Sequence, residues 1–254
     1  MCSRVSKYLL RFDSDNYWYT FSDSGWAVHL SRILKMCHNI IQSMYDGITP
    51  LVHCSDGWDR TSQVCALVQL QIDPYFRTLR GFITLVEKDW CQFGHQFALR
   101  NGIAMYNEKQ RSPVFLQFLD CIHQIMNQYP TAFEFNMDFL KDLAYHAYTG
   151  TFGTFLCDNQ LDRAKHNLKG RTVSIWSYIL DQEHMFRNQF YIHNPQVVLV
   201  NSLPCNMRFW REHFLQYAPT KSIFTDLPLT DPTAEFFRKI AMQVCAEGRL
   251  KDYI

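Results

Sequence analysis

The chain has 254 residues, of which 47% are hydrophobic and 19% charged, with a net charge of +1. That is enough apolar chain for one substantial domain, with or without a tail, and it excludes a disordered polypeptide. A balance of +1 gives no global field toward nucleic acid or an acidic membrane, so any anion site must be local.

The opening, Met1 to Gly25, is polar and aromatic, with Asp13-Ser14-Asp15-Asn16 reading as a turn. It holds no apolar signal segment, and no stretch of the chain approaches the ~20 apolar residues of a membrane span. Any meeting with a membrane is therefore expected to be peripheral. From Trp26 to about Tyr45, Val28, Ile33, Leu34, Cys37, Ile40 and Ile41 recur near the helical period, and Asp46-Gly47 ends the element. Pro50-Leu51-Val52-His53 is a short apolar run that predicts a buried strand. A polar loop, Cys54 to Arg60, follows. Thr61 to Ile72 then reads as a helix, with Val64, Leu67, Val68 and Ile72 on one side and Pro74 beyond its end.

Downstream, helices are predicted over Thr78–Cys91, Val114–Gln128 and Phe133–Tyr148, with breaks at Arg111-Ser112-Pro113 and Tyr129-Pro130. Arg171 to Tyr178 fits a strand or a helix start equally. Pro219 to Asp231 reads as a linker, and Asp231-Pro232 caps a last amphipathic helix through about Glu247. This divides the chain into a domain over 1–218 and a linker with a helix over 219–254. The aromatic content of 15% is read as core packing.

The 9 cysteines are odd in number and form no C-x-x-C pair, which argues against a zinc ribbon or a thioredoxin-type motif. Cys65 and Cys121 sit among apolar residues and read as reduced core positions in an intracellular compartment. No metal and no cofactor are expected. The His and carboxylate residues show no ligand spacing.

The chemistry concentrates in His53-Cys54-Ser55-Asp56-Gly57-Trp58-Asp59-Arg60-Thr61. A cysteine at the end of a strand faces the N-terminus of the next helix, where unpaired backbone N–H groups favour an anion. Such a setting brings a thiol below its free value of ~8.5 and populates the thiolate. The loop N–H groups form a cradle for phosphate oxygens, and Gly57 lets the backbone turn closely. Arg60 has a planar fork that holds two phosphate oxygens at once and stabilises the extra charge of a transition state. Together these make an activated nucleophile beside an oxyanion clamp.

At every position this run resembles the active-site loop of the myotubularin family of phosphoinositide 3-phosphatases. Further segments are similar in the same order: Arg77–Phe82, Leu85–Trp90, Phe93-Gly94-His95, Ser112–Phe118, Phe133–Asn136, Phe152–Leu156 and Ser174–Tyr178. The likeness covers about Trp26 to Tyr178 and fades beyond. It implies an α/β fold of the protein-tyrosine-phosphatase type, helix-rich, built around strand, phosphate loop and helix. Only 53 residues precede Cys54, so it implies the C-terminal part of a catalytic domain with an incomplete central sheet.

The resemblance also implies roles. Cys54 attacks phosphorus, Arg60 binds the phosphate, and Asp59 gives a proton to the leaving inositol oxygen. A structural salt bridge from Asp59 to Arg60 is the competing reading. Asp56 contacts the ring or a second phosphate, Trp58 anchors the loop, His53 holds it by hydrogen bonds, and Ser55 assists loop geometry or release of the thiolate. The family places basic residues directly after Phe-Gly-His and four residues later. Here the first is Gln96, a departure, and the second is Arg100, a candidate contact to non-reacting phosphates.

The substrates implied are phosphatidylinositol 3-phosphate and phosphatidylinositol 3,5-bisphosphate, hydrolysed through a phosphocysteine. The implied setting is the cytoplasmic face of endosomal-type membranes, with assembly into homo- or hetero-oligomers with related phosphatases allowed and no nucleic acid involved. Two alternatives stand beside this: a catalytically inactive phosphoinositide-binding partner of active relatives, and a protein-tyrosine or dual-specificity phosphatase.

Overall fold

The computed structural model describes residues 21, 23–103 and 108–216. The turn expected at Asp13–Asn16 and the linker and helix expected over 219–254 lie outside the described residues. The chain divides into two compact units, Met1–Lys35 with Asn201–Ile254, and Met36–Val200.

Helix α1, Trp26–Tyr45, begins where Ser24 accepts a hydrogen bond from the Trp26 N–H and ends at Gly47, whose φ is +76°. The expected helical period is present. The buried stripe runs through Leu30, Leu34, Cys37 and Ile41, while Val28, Ile33 and Ile40 are half-buried at its flank. In the first unit, Ser31 Oγ donates to the Ser202 carbonyl at 2.6 Å, and Trp26 and Phe209 pack around Phe214. No helix among the described residues is long and apolar enough to cross a membrane.

In the second unit the central element is α2, Arg60–Ile72, which buries Val64, Ala66, Leu67, Val68 and Leu70 together with Ser62, Gln63 and Gln71. The amide nitrogens of Gln63 and Gln71 find partners within the fold. Gln63 donates to the Val114 carbonyl at 3.1 Å, and Gln71 donates to the Leu67 carbonyl at 3.0 Å. The helix stops where Asp73 turns extended, accepts from the Tyr75 N–H, and hands over to a 3-10 turn opened by Pro74.

Helix α3, Leu79–Val86, is capped by Thr78, whose hydroxyl accepts from the Gly81 N–H at 3.0 Å. It runs straight into a π-helical turn, Glu87–Gln92, so the helix expected over 78–91 changes its winding part-way. A short α4, Phe97–Asn101, follows the turn at Gly94. Helix α5, Val114–Gln128, matches its expected bounds. Helix α6, Met137–Thr149, starts four residues later than expected. Asn136 caps it by accepting from the Phe139 N–H, and Phe133–Asn136 instead stays outside the helix, with Phe135 bridged to Arg187. The open reading of 171–178 resolves as a helix, α7, Ile175–Asp181, because Ser174 takes the N-cap position and accepts from the Trp176 N–H.

The aromatic excess is core, as composition indicates. Phe82, Trp90, Phe97, Phe115, Phe118 and Phe135 are fully buried, and Trp90 meets Phe115 and Phe118 with ring centroids 4.9 Å apart in each case.

One expectation is corrected. Pro50–His53 forms no strand, and the one β pairing among the described residues is the isolated Phe135–Arg187 bridge. The physical reason is that an extended segment becomes a strand only by pairing. Here Leu51 is 88% exposed and no neighbouring strand stands beside it among the described residues. The α/β expectation therefore holds in its helix-rich part, while the sheet is not seen among the described residues.

Arg77 locks the far end of α2. Only 1% exposed, it donates to the carbonyls of Leu70 and Gln71 at 3.1 and 3.0 Å and to those of Asn194 and Gln196 at 2.5 and 3.1 Å. A cation at a helix C-terminus also meets the negative end of the dipole. Arg77→Met is expected to cost about 3 kcal/mol or more, since it strands several buried carbonyls at once. Thermal unfolding checks this. A fall in Tm of less than ~2 °C would mean that those carbonyls find other donors.

Candidate active site

The loop Cys54–Asp59 leads directly into the N-terminus of α2 at Arg60. Gly57 has a φ of +90°, in the region that favours glycine, and this turn brings its N–H back onto the Cys54 sulfur at 3.2 Å. Burial pushes the Cys54 thiol up. Hydrogen bonding from the Thr61 hydroxyl and from the backbone N–H groups of Gly57, Asp56 and Thr61 outweighs it and brings the thiol down to about 7. Burial drives other cysteines the opposite way: the Cys65, Cys121 and Cys157 thiols are raised, and Cys91 is pushed up to about 12. Cys121 is fully buried and Cys65 half-buried.

Thiolate, not thiol, is the nucleophile. Alkylation of Cys54 by iodoacetamide is expected to rise as pH passes through about 7 and then level off, because the reactive form appears above the lowered pKa. Peptide mapping of the alkylated protein reads this site separately from the exposed Cys205. A midpoint in the ordinary thiol range would contradict the hydrogen-bonded thiolate.

Arg60 folds back across the loop, its Nη2 donating to Ser55 Oγ at 3.3 Å, while Ser55 donates onward to Asp56 Oδ2 at 3.0 Å. Ser55, Asp56, Gly57 and Arg60 are exposed, and Trp58 is half-buried. Between Cys54 and Arg60 the loop thus carries a sulfur, a guanidinium, a hydroxyl and a carboxylate.

Asp59 pairs with residues beyond the loop. Its carboxylate receives Arg100 Nη2 at 2.7 Å and Nε at 3.1 Å on Oδ2, and His95 Nδ1 lies 3.0 Å from Oδ1. Burial pushes the Asp59 carboxyl up, but the hydrogen bonds and charges of His95 and Arg100 exceed that effect and hold it below the usual carboxylate range. The ion pair of Asp59 is therefore with Arg100 and not with its sequence neighbour Arg60. Arg100 is held in turn by Gln110, whose backbone and side-chain oxygens accept from Nη1 at 2.8 and 2.9 Å.

A model of the myotubularin-like phosphatase domain matches residues 2–164 of the chain. The chain belongs to the myotubularin-like phosphatase family. It is 37% identical over 235 residues to the phosphatidylinositol-3,5-bisphosphate 3-phosphatase mtm-1 of Caenorhabditis elegans, a match covering 89% of this chain and 40% of that one. It is 39% identical over 210 residues to MTMR6 of Mus musculus, covering 81% and 34%, and 45% identical over 195 residues to MTMR2 of Bos taurus, covering 75% and 30%. Both of these carry the same 3-phosphatase name. The chain spans 30 to 40% of the length of these three relatives.

Within the myotubularin-like loop, the geometry brings the Gly57 N–H onto the Cys54 sulfur and links the Arg60 guanidinium to Ser55 and Asp56. It sets Asp59 and Arg100 against each other at its edge. Gln96 sits at the N-cap of α4, where its carbonyl accepts from the Arg100 N–H at 2.8 Å. Two residues carry more than their sequence positions indicate. Thr61, at the start of α2, helps hold the Cys54 thiol down, and His95 reaches the loop from beyond the π-helical turn. Thr61 stands inside the matched nine-residue run and His95 inside the Phe-Gly-His match, so both were marked by similarity but not by chemistry.

Proposed function

We propose that this chain hydrolyses the 3-phosphate of phosphatidylinositol 3-phosphate and phosphatidylinositol 3,5-bisphosphate through a phosphocysteine. The observation that carries the reading is the Cys54 sulfur, which accepts from the Gly57 N–H in the loop that leads into α2, with Arg60 folded back onto Ser55 of the same loop. The names of the relatives set the substrate class.

In the first step the Cys54 thiolate attacks phosphorus, the bond from phosphorus to the inositol oxygen breaks, and Asp59 gives a proton to that oxygen. Water then attacks the phosphocysteine with Asp59 as base, the S–P bond breaks, and the thiolate returns. Arg60 and the loop N–H groups hold the three non-bridging oxygens throughout. Asp59 is an ionised partner of Arg100. A substrate phosphate competes for that guanidinium. Losing its cationic partner moves the Asp59 carboxyl up, toward the protonated form that the first step needs. In this reading Asp56 and Ser55, joined by a hydrogen bond in the exposed loop, meet ring hydroxyls, and Trp58 is the loop's anchor.

The reading includes a lipid on a membrane surface as partner, peripheral attachment from the cytoplasm at endosomal-type membranes, and association with related phosphatases. The inactive, lipid-binding alternative draws support from the exposed, unpaired Pro50–His53 segment next to the nucleophile. Phosphate release from a short-chain 3-phosphorylated inositol lipid, beside a phosphotyrosine peptide, separates the readings. Release from the lipid alone supports the proposal, and release from the peptide alone favours a protein phosphatase. No release from folded protein that still binds lipid favours the inactive partner.

A further inference from the structure

His95 is a buried imidazole with one working face. Its side chain is fully buried, and Nδ1 lies 2.9 Å from the Trp58 carbonyl and 3.0 Å from Asp59 Oδ1. Both neighbours are acceptors, so Nδ1 must carry the hydrogen. The other nitrogen, Nε2, is buried with no hydrogen-bond partner among the described residues. The ring is wedged edge-on against Trp90 and Phe97, with centroids 4.8 and 4.7 Å away. Its backbone is pinned as well: the His95 N–H donates to the Trp90 carbonyl at 2.9 Å, and the turn at Gly94 has a φ of +84°. A core-filling role alone does not explain an imidazole here. An apolar ring of similar size would pack equally well and would leave no nitrogen stranded.

We propose that His95 is a positioning residue that ties the phosphate loop down at Trp58 and aims the Asp59 carboxylate, sharing one N–H between two consecutive loop residues. Arg100 supplies charge to that carboxylate from a long side chain that a substrate can draw away. His95 is the fixed partner, because its ring cannot leave the aromatic wedge. When Arg100 turns to a phosphate, His95 keeps Asp59 oriented. The titratable and charged groups facing Asp59 are the His95 imidazole and the Arg100 guanidinium, on the turn before α4 and on α4. This inference rests on the phosphatase reading only for its effect on turnover.

The test uses the full 254-residue chain as His95→Asn, His95→Gln and His95→Leu. The amide nitrogen of Asn falls near the Nδ1 position, whereas that of Gln falls near Nε2. The Asp59 carboxyl is followed by 13C NMR in protein labelled at aspartate, and kcat and KM are measured on the short-chain lipid. The Gln and Leu variants are expected to titrate Asp59 at higher pH than the parent, since a donor to the ionised form is gone. They should lose about 10²-fold in kcat with KM little changed, the scale of a displaced catalytic group. The Asn variant is expected to restore both. If Leu does not fold, as thermal unfolding will report, the Asn and Gln pair decides alone. If the parent releases no phosphate, the titration still decides. An Asp59 titration unmoved in Gln and Leu, or equal loss in Asn and Gln, would overturn the proposal and return His95 to a core residue.

Discussion

Replacing Cys54 by serine is expected to lower phosphate release by about 10⁴-fold or more while leaving lipid binding in place, the scale on which removal of a nucleophile acts. The site explains both halves of that result. The hydrogen bonds around the sulfur bring a thiol to about 7, so a large share is thiolate near neutral pH. The same bonds leave an alcohol protonated, and an alcohol is a weak nucleophile. Binding survives because the loop N–H groups, Arg60 and Ser55 are untouched. Release is measured with the short-chain lipid, and binding with vesicles that carry it. Turnover in Cys54→Ser near the parent rate would sink the covalent route.

Asp59→Asn is the second large expectation. Loss of the proton that Asp59 gives the inositol oxygen is expected to lower kcat by ~10²–10⁴-fold, the usual worth of a positioned acid. The asparagine keeps the shape but also releases Arg100 from its ion pair. Arg100 is then free to meet a substrate phosphate, so KM is expected to hold or fall. A leaving group that departs without a proton gives the sharper comparison. On an activated aryl phosphate the Asn variant should recover most of the rate. An unchanged kcat on the inositol lipid would move the acid role to another group of the site.

The fold was legible where apolar periodicity settles a helix on its own. Trp26–Tyr45 and Val114–Gln128 have the expected bounds, and Arg60–Ile72 begins one residue early. It was illegible where a local competitor or a distant partner decides. Phe133–Asn136 has the composition of a helix start, but Asn136 caps the helix and leaves the three residues before it outside. Ser174 does the same for a segment whose pattern fitted two structures. Pro50–His53 has the composition of a buried strand, and composition says nothing of whether a second strand lies beside it.

The site divides along similar lines. The loop residues are contiguous, so Cys54, Gly57 and Arg60 could be brought together from sequence by turn and helix-start chemistry, although the strand expected before Cys54 is not formed. The partners of Asp59 could not. Asp59 and Arg60 are neighbours at the N-cap and first position of α2, and adjacent residues at a helix start do not face each other. The carboxylate instead reaches Arg100, 41 residues along the chain, and His95 on the turn before it. No spacing rule in a single sequence reports that meeting.

The central claim is a phosphoryl group carried on Cys54. Acid quench of the chain during turnover of a short-chain 3-phosphorylated inositol lipid, followed by peptide mass analysis, tests it most directly. The account predicts a phosphoryl adduct on the peptide that contains Cys54, absent from Cys54→Ser. Rapid phosphate release with that peptide never labelled, or with the label on another residue, would contradict it.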